Sequence, residues 1–108
     1  MNIQRPIKIN KVSPITLKAT RWYKEWVIVR ILTDQGIEGV GEGFTWSGQA
    51  STIRTHIETI GQQIVGNSPI EIETFLNRFY FSKSTDRNWC AAISAIEIAL
   101  WDIVGKLA

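Results

Sequence analysis

The sequence predicts an α+β domain in which a three-stranded antiparallel meander is followed by three helices. Two observations carry that prediction. Up to about residue 44 the apolar residues alternate or run in β-branched strings, with a tight-turn signal between two of the strings. From residue 50 onward they recur at steps of three and four, the period of a helix. Strands first and helices after is the order of a sheet backed by helices, not of alternating βα units.

The elements follow in order. Ile7-Lys8-Ile9-Asn10 and Ile15-Thr16-Leu17-Lys18 alternate apolar and polar residues and read as one strand interrupted near Ser13-Pro14, where proline suits a bulge or an edge. Trp26 to Thr33 is a second strand, β-branched and apolar on both faces. Asp34-Gln35-Gly36 is a tight turn, so the third strand, Ile37 to Phe44, pairs antiparallel with the second. Ile53, Ile57, Ile60 and Ile64 mark a first helix, with Gly66 placed as its C-terminal cap. Ser68-Pro69-Ile70-Glu71 reads as a capping box opening a second helix that carries Ile72, Phe75, Leu76 and Phe79. In the last helix Trp89, Ile93, Ile96, Leu100, Ile103 and Leu107 form one stripe. Ala92, Ala95 and Ala99 lie beside it and permit another element to approach closely. The expected bounds are a sheet over 5–44 and helices over about 48–65, 69–80 and 87–108, all in one domain. No stop signal follows Leu107, which suggests that a downstream part is missing.

Composition narrows the function. An apolar fraction of 44% argues against disorder, and a net charge of +2 is too small to imply a polyanionic partner. The first thirty residues are nevertheless basic: Arg5, Lys8, Lys11, Lys18, Arg21, Lys24 and Arg30 stand against Glu25 alone. They read as solvated positions or, more sharply, as steering for an anionic ligand. The lone Cys90 excludes an internal disulfide and fits a reducing cytoplasm. Nothing resembles a membrane span or a signal core.

Few residues read as chemistry. Gly39-Val40-Gly41-Glu42-Gly43 is not a dinucleotide fingerprint, because the third glycine would fall at Phe44. The glycines read instead as places where the sheet bends or another backbone comes close. Glu97 and Asp102 are five residues apart and do not share a helix face. Asp102 and Lys106 make a helix-stabilising pair, and both acids read as structural. His56 stands alone as a surface or packed residue. No cluster has metal spacing, and no nucleophile–base arrangement is recognisable, so neither a catalytic nor a metal-binding residue is assigned. Residues 19–25 join the first and second strands, residues 45–49 join the third strand to the first helix, and between them they carry Arg21, Trp22, Tyr23, Lys24 and Trp46. These aromatics either fold back onto the core or serve a binding purpose.

The segment Ala92-Ile93-Ser94-Ala95-Ile96-Glu97-Ile98-Ala99-Leu100-Trp101-Asp102-Ile103-Val104-Gly105-Lys106 resembles the signature helix of the mandelate racemase/muconate-lactonizing branch of the enolase superfamily. Gly36, Gly39, Gly41 and Glu42 resemble that family's Gly-x-x-Gly-x-Gly-Glu strand. The element order matches its N-terminal capping domain over nearly the whole chain. In that family a Gly-x-Pro step and a catalytic (β/α) barrel come next, and here only Ala108 does. The resemblance therefore implies a capping domain without its barrel.

It implies further that residues 19–25 and 45–49 are the two loops that close over the barrel mouth. Trp22, Tyr23 and Trp46 would supply apolar wall, and Arg21 and Lys24 would meet a substrate carboxylate or hydroxyls. Glu42 becomes a paired carboxylate at the domain interface. The implied chemistry is proton abstraction beside a carboxylate, with Mg2+ held by three barrel carboxylates and barrel Lys or His residues as base and acid. The loops look most like those of sugar-acid dehydratases of the gluconate or galactonate type. The chain alone is then expected to bind no catalytic magnesium and to turn over nothing. Its expected partners are the missing barrel, a small sugar-acid carboxylate and, when intact, further copies of itself, with no nucleic acid and no membrane.

Two other readings stay open. One is a free-standing protein-interaction module or the remnant of a truncated gene. The other is a small nucleic-acid binder using the basic first thirty residues with Trp22, Tyr23 and Trp26, disfavoured for want of a recognisable reading element. If the barrel is lost, the face around Leu100, Ile103 and Leu107 is expected to be partly exposed and to drive self-association.

Overall fold

The computed structural model describes residues 6–18, 25–43, 49–80 and 86–108. Three strands, β1 (Ile9–Lys18), β2 (Glu25–Thr33) and β3 (Glu38–Gly43), form an antiparallel sheet in the order β1-β2-β3. Three helices follow: α1 (Ala50–Ile64), α2 (Ile72–Phe79) and α3 (Arg87–Leu107). This is the predicted meander backed by helices.

The β2–β3 hairpin turns where Asp34-Gln35-Gly36 places it. Gly36 takes a left-handed φ of 78°, which only glycine adopts at no steric cost. Thr33 locks the turn, its hydroxyl donating to the Ile37 carbonyl at 2.8 Å and accepting from the Ile37 N–H at 3.1 Å. On the inward face of β2, Val27, Val29, Ile31 and Thr33 are buried. Ile53, Ile57, Ile60 and Ile64 of α1 and Trp89, Ile93, Ile96, Leu100 and Ile103 of α3 join them in one apolar cluster. The described residues thus share one apolar core.

The end of α1 is tied to the start of β1. Gly66, at a φ of 90°, donates its N–H to the Ile9 carbonyl at 2.8 Å, and Ile9 donates back to the Asn67 carbonyl at 2.8 Å. The expected glycine cap is therefore present, but its N–H bonds a strand and not its own helix.

Three expectations are corrected. β1 runs unbroken through Ser13 and Pro14, with Pro14 opposite Val29, and its irregularity lies between Ile9 and Lys11. An edge strand accommodates a proline without a bulge because one of its sides needs no donors. Helix α2 begins at Ile72, not Pro69, and its N-cap Glu71 makes no side-chain cap bond. Residues 68–71 form a turn instead, in which the Ser68 hydroxyl accepts from Ile70 N at 3.4 Å. Pro69 is fully buried, and packing its ring outweighs the local capping pattern. Finally, Leu100 and Ile103 are 2% and 0% exposed. Their face is taken by the domain's own core, and only Leu107 of the three named positions is open.

Candidate functional site

The contact between β3 and α3 organises the functional side of the molecule. A Cβ added to Gly39 would run into the Ala99 carbonyl, one added to Gly41 into the Ala95 carbonyl, and one added to Gly43 would press on Ile53 at 3.3 Å. The alternating glycines are thus a track on which the helix backbone lies, and Ala95 and Ala99 are the matching small residues. Both halves of this contact were readable as close-approach signals.

Side chains of α3 then fasten the outer edge of β3. Asp102 accepts from Val40 N at 2.9 Å, and Lys106 donates to the Glu38 carbonyl at 2.6 Å while pairing with Asp102 at 3.1 Å. These bonds occupy edge groups that would otherwise be open to another strand. The Val40 N–H and then Lys106 hold the Asp102 carboxyl below the usual carboxylate range. Arg30 grips Glu38 through two bonds of 2.6 and 2.9 Å and lowers its carboxyl in the same way. Asp102 and Lys106 were expected as a pair, but their hold on β3 was not legible in their spacing.

The opposite end of the sheet points to the loops. Lys18 pairs with Glu25, and Gly43 pairs with Val27. Residues 19–24 and 44–48 therefore both leave from one end of the sheet. Arg21, Trp22, Tyr23, Lys24 and Trp46 all lie outside the described residues. Helix α3 starts at that same end. Asp86 caps it by accepting from Asn88 N at 3.0 Å and Trp89 N at 3.1 Å, and Asn88 Nδ2 donates to Gln49 Oε1 at 3.2 Å. The Asp86 cap escaped sequence reading, although an aspartate just before an apolar helical stripe is its usual signal.

Between Glu42, Arg87, Cys90, Ser94 and Ile98 lies an open groove of about 590 Å³. Glu42 is exposed here, and it forms no ion pair among the described residues. Further along the same face Ile98 and Trp101 are 47% and 56% exposed. The Trp101 indole donates to Glu97 at 3.2 Å. His56 packs edge-on against Trp89, with ring centroids 5.1 Å apart, as a packed residue does. Among the described residues no three of His, Cys, Asp and Glu come together to hold a metal ion. Nor is any described helix long and apolar enough to cross a membrane.

A glycine-tracked antiparallel meander closed by an alanine-lined helix matches the N-terminal domain of the enolase superfamily. The comparisons agree. The family described as mandelate racemase / muconate lactonizing enzyme, N-terminal domain, matches residues 4–108. The chain belongs to that family. It is similar to the D-xylonate dehydratase of Haloferax volcanii, at 37% identity over 86 residues, covering 76% of this chain and 20% of that protein. A solved enolase-superfamily member from Salmonella Typhimurium superposes with a TM-score of 0.81 at 33% identity, over 94% of this chain and 27% of that one. The 3,6-anhydro-D-galactonate cycloisomerase of Zobellia galactanivorans superposes with a TM-score of 0.81 at 34% identity, over 93% and 29%. The chain spans less than a third of the length of each of these relatives.

Proposed function

We propose that this chain is the substrate-capping domain of a magnesium-dependent enolase-superfamily enzyme acting on a sugar acid. The carrying observation is the shared departure point of residues 19–24 and 44–48 at one end of the sheet. Two segments leaving together can approach one substrate and supply both its walls and its charge partners. Trp22, Tyr23 and Trp46 exclude water, and Arg21 and Lys24 meet the carboxylate or hydroxyls. The metal ligands, base and acid belong to the barrel, so the 108 residues alone turn over nothing.

The relatives support the substrate class more firmly than the reaction. Xylonate and 3,6-anhydro-galactonate are both sugar acids, yet one relative is named a dehydratase and the other a cycloisomerase. Dehydration is the favoured reaction, following the loop resemblance. The test is a parent enzyme carrying this cap, assayed with magnesium on a panel of aldonic acids. Arg21→Ala and Trp46→Ala should raise KM or change the preferred acid without lowering the melting temperature of the domain. Unchanged kinetics in both variants would remove the capping role from these residues.

A further inference from the structure

We infer that the cavity under α2, with Glu71 and Arg78 at its rim, is a binding site for a small ω-amino acid, a zwitterion whose ammonium and carboxylate are held apart by an aliphatic chain. The inference uses none of the residues of the capping reading.

Helix α2 makes the cavity. Glu71, Thr74, Phe75, Arg78 and Phe79 recur at steps of three and one and so share one side of it. That side faces the end of α1 and the start of β1 across a space of about 270 Å³. The space lies at the end of β1 remote from Lys18, because Ile9 pairs with Thr33 beside the hairpin turn. A cavity of this size suits a ligand below drug size.

Its chemistry is divided between floor and rim. The floor is Ile9, Ile64, Phe75, Phe79 and Leu100, all buried. The Phe75 and Phe79 ring centroids lie 5.3 Å apart. These side chains offer no donor or acceptor, so they take methylenes and leave a peptide amide unpaired. At the rim Arg78 follows Glu71 by seven residues, roughly 10 Å along the helix. Neither forms an ion pair among the described residues. Each is steadied instead by a neutral neighbour. The Thr74 hydroxyl donates to Glu71 Oε2 at 3.4 Å. Arg78 donates from Nη2 to Gln63 Oε1 at 3.1 Å, and its guanidinium carbon lies 4.8 Å above the Phe79 ring.

Two opposite charges are thus oriented, without a counterion, at the two ends of an apolar floor. Groups held in place before a ligand arrives lower the cost of binding it. A fatty acid would answer Arg78 and leave Glu71 unmet, and an alkylamine the reverse. An α-amino acid cannot reach both, since its two charges share one carbon. An ω-amino acid places its ammonium at Glu71, its carboxylate at Arg78 and its methylenes on the floor, forming a charge-assisted bond at each end.

The experiment is an amide NMR titration of the 108-residue chain with ε-aminocaproate, caproate, n-hexylamine and dialanine. ε-Aminocaproate should bind saturably and severalfold more tightly than the other three, with shifts centred on α2 and the end of α1. Equal or tighter binding of another probe, no saturable binding, or shifts centred elsewhere would each overturn the inference. None of these outcomes touches the capping reading. Two variants at exposed positions check the charges. Glu71→Gln should lose the preference for ε-aminocaproate over caproate, and Arg78→Gln the preference over n-hexylamine, while both melt near the temperature of the unsubstituted chain. A preference retained in either variant would overturn the assignment of that charge and with it the zwitterion.

Discussion

The two sides of α3 are built from different chemistry. The inward side pairs Ala95 and Ala99 with the glycines of β3 and sends Ile93, Ile96, Leu100 and Ile103 into the core. The outward side of the same helix leaves Ile98 and Trp101 in solvent. The inward side is thus complete within these residues, whereas the outward side leaves two large apolar side chains open.

That contrast can be broken by substitution. The largest loss is expected for Ile96→Ala, since Ile96 is fully buried. A lost transfer term plus a cavity should cost about 3–4 kcal/mol by urea unfolding. Gly41→Ala comes next. Its methyl would collide with the Ala95 carbonyl and force strand and helix apart, at about 2 kcal/mol. Asp86→Ala removes the acceptor for Asn88 N and Trp89 N and should cost about 1 kcal/mol. Trp101→Ser sharpens the comparison from the other side: at an exposed position it should change the stability of the isolated chain by less than about 0.5 kcal/mol. A loss as large as that of Gly41→Ala would show that the outward side is already used within this domain.

The fastening of β3 to α3 gives a pH dependence. Asp102 and Glu38 titrate below their unfolded values because both accept hydrogen bonds in the fold. Their contribution is present above the ordinary carboxylate range, around pH 4, and is lost as pH falls through the lowered values. Thermal melting from pH 6 to pH 2 should therefore fall at the acid end. Asp102→Asn should start lower at pH 6 and decline less steeply. Identical slopes would remove Asp102 from the account.

Much of the fold was legible because its signals are local. Asp34-Gln35-Gly36 announced the hairpin, and the isoleucine spacing announced α1. The misreadings have a common cause. Spacing shows which side chains share a helix face but not what covers that face, so Leu100 and Ile103 were expected to be partly exposed in the absence of a barrel, whereas their own sheet and helices bury them. Ser68-Pro69-Ile70-Glu71 matched a capping box, but burying Pro69 fixed a turn there instead. At the site, the glycine track was readable as close approach. The hold of Asp102 and Lys106 on β3 was not, because it joins residues more than sixty positions apart. Arg21, Trp22, Tyr23, Lys24 and Trp46 stay as the resemblance assigned them, since they lie outside the described residues.

The capping reading stands or falls on the coding sequence for about two to three domain lengths past Ala108. An open frame that begins with a Gly-x-Pro step and encodes a barrel with three spaced acidic residues at its strand ends is expected. A stop codon at that point, with no neighbouring frame encoding a barrel, would contradict it and leave the chain as an independent module or a gene remnant.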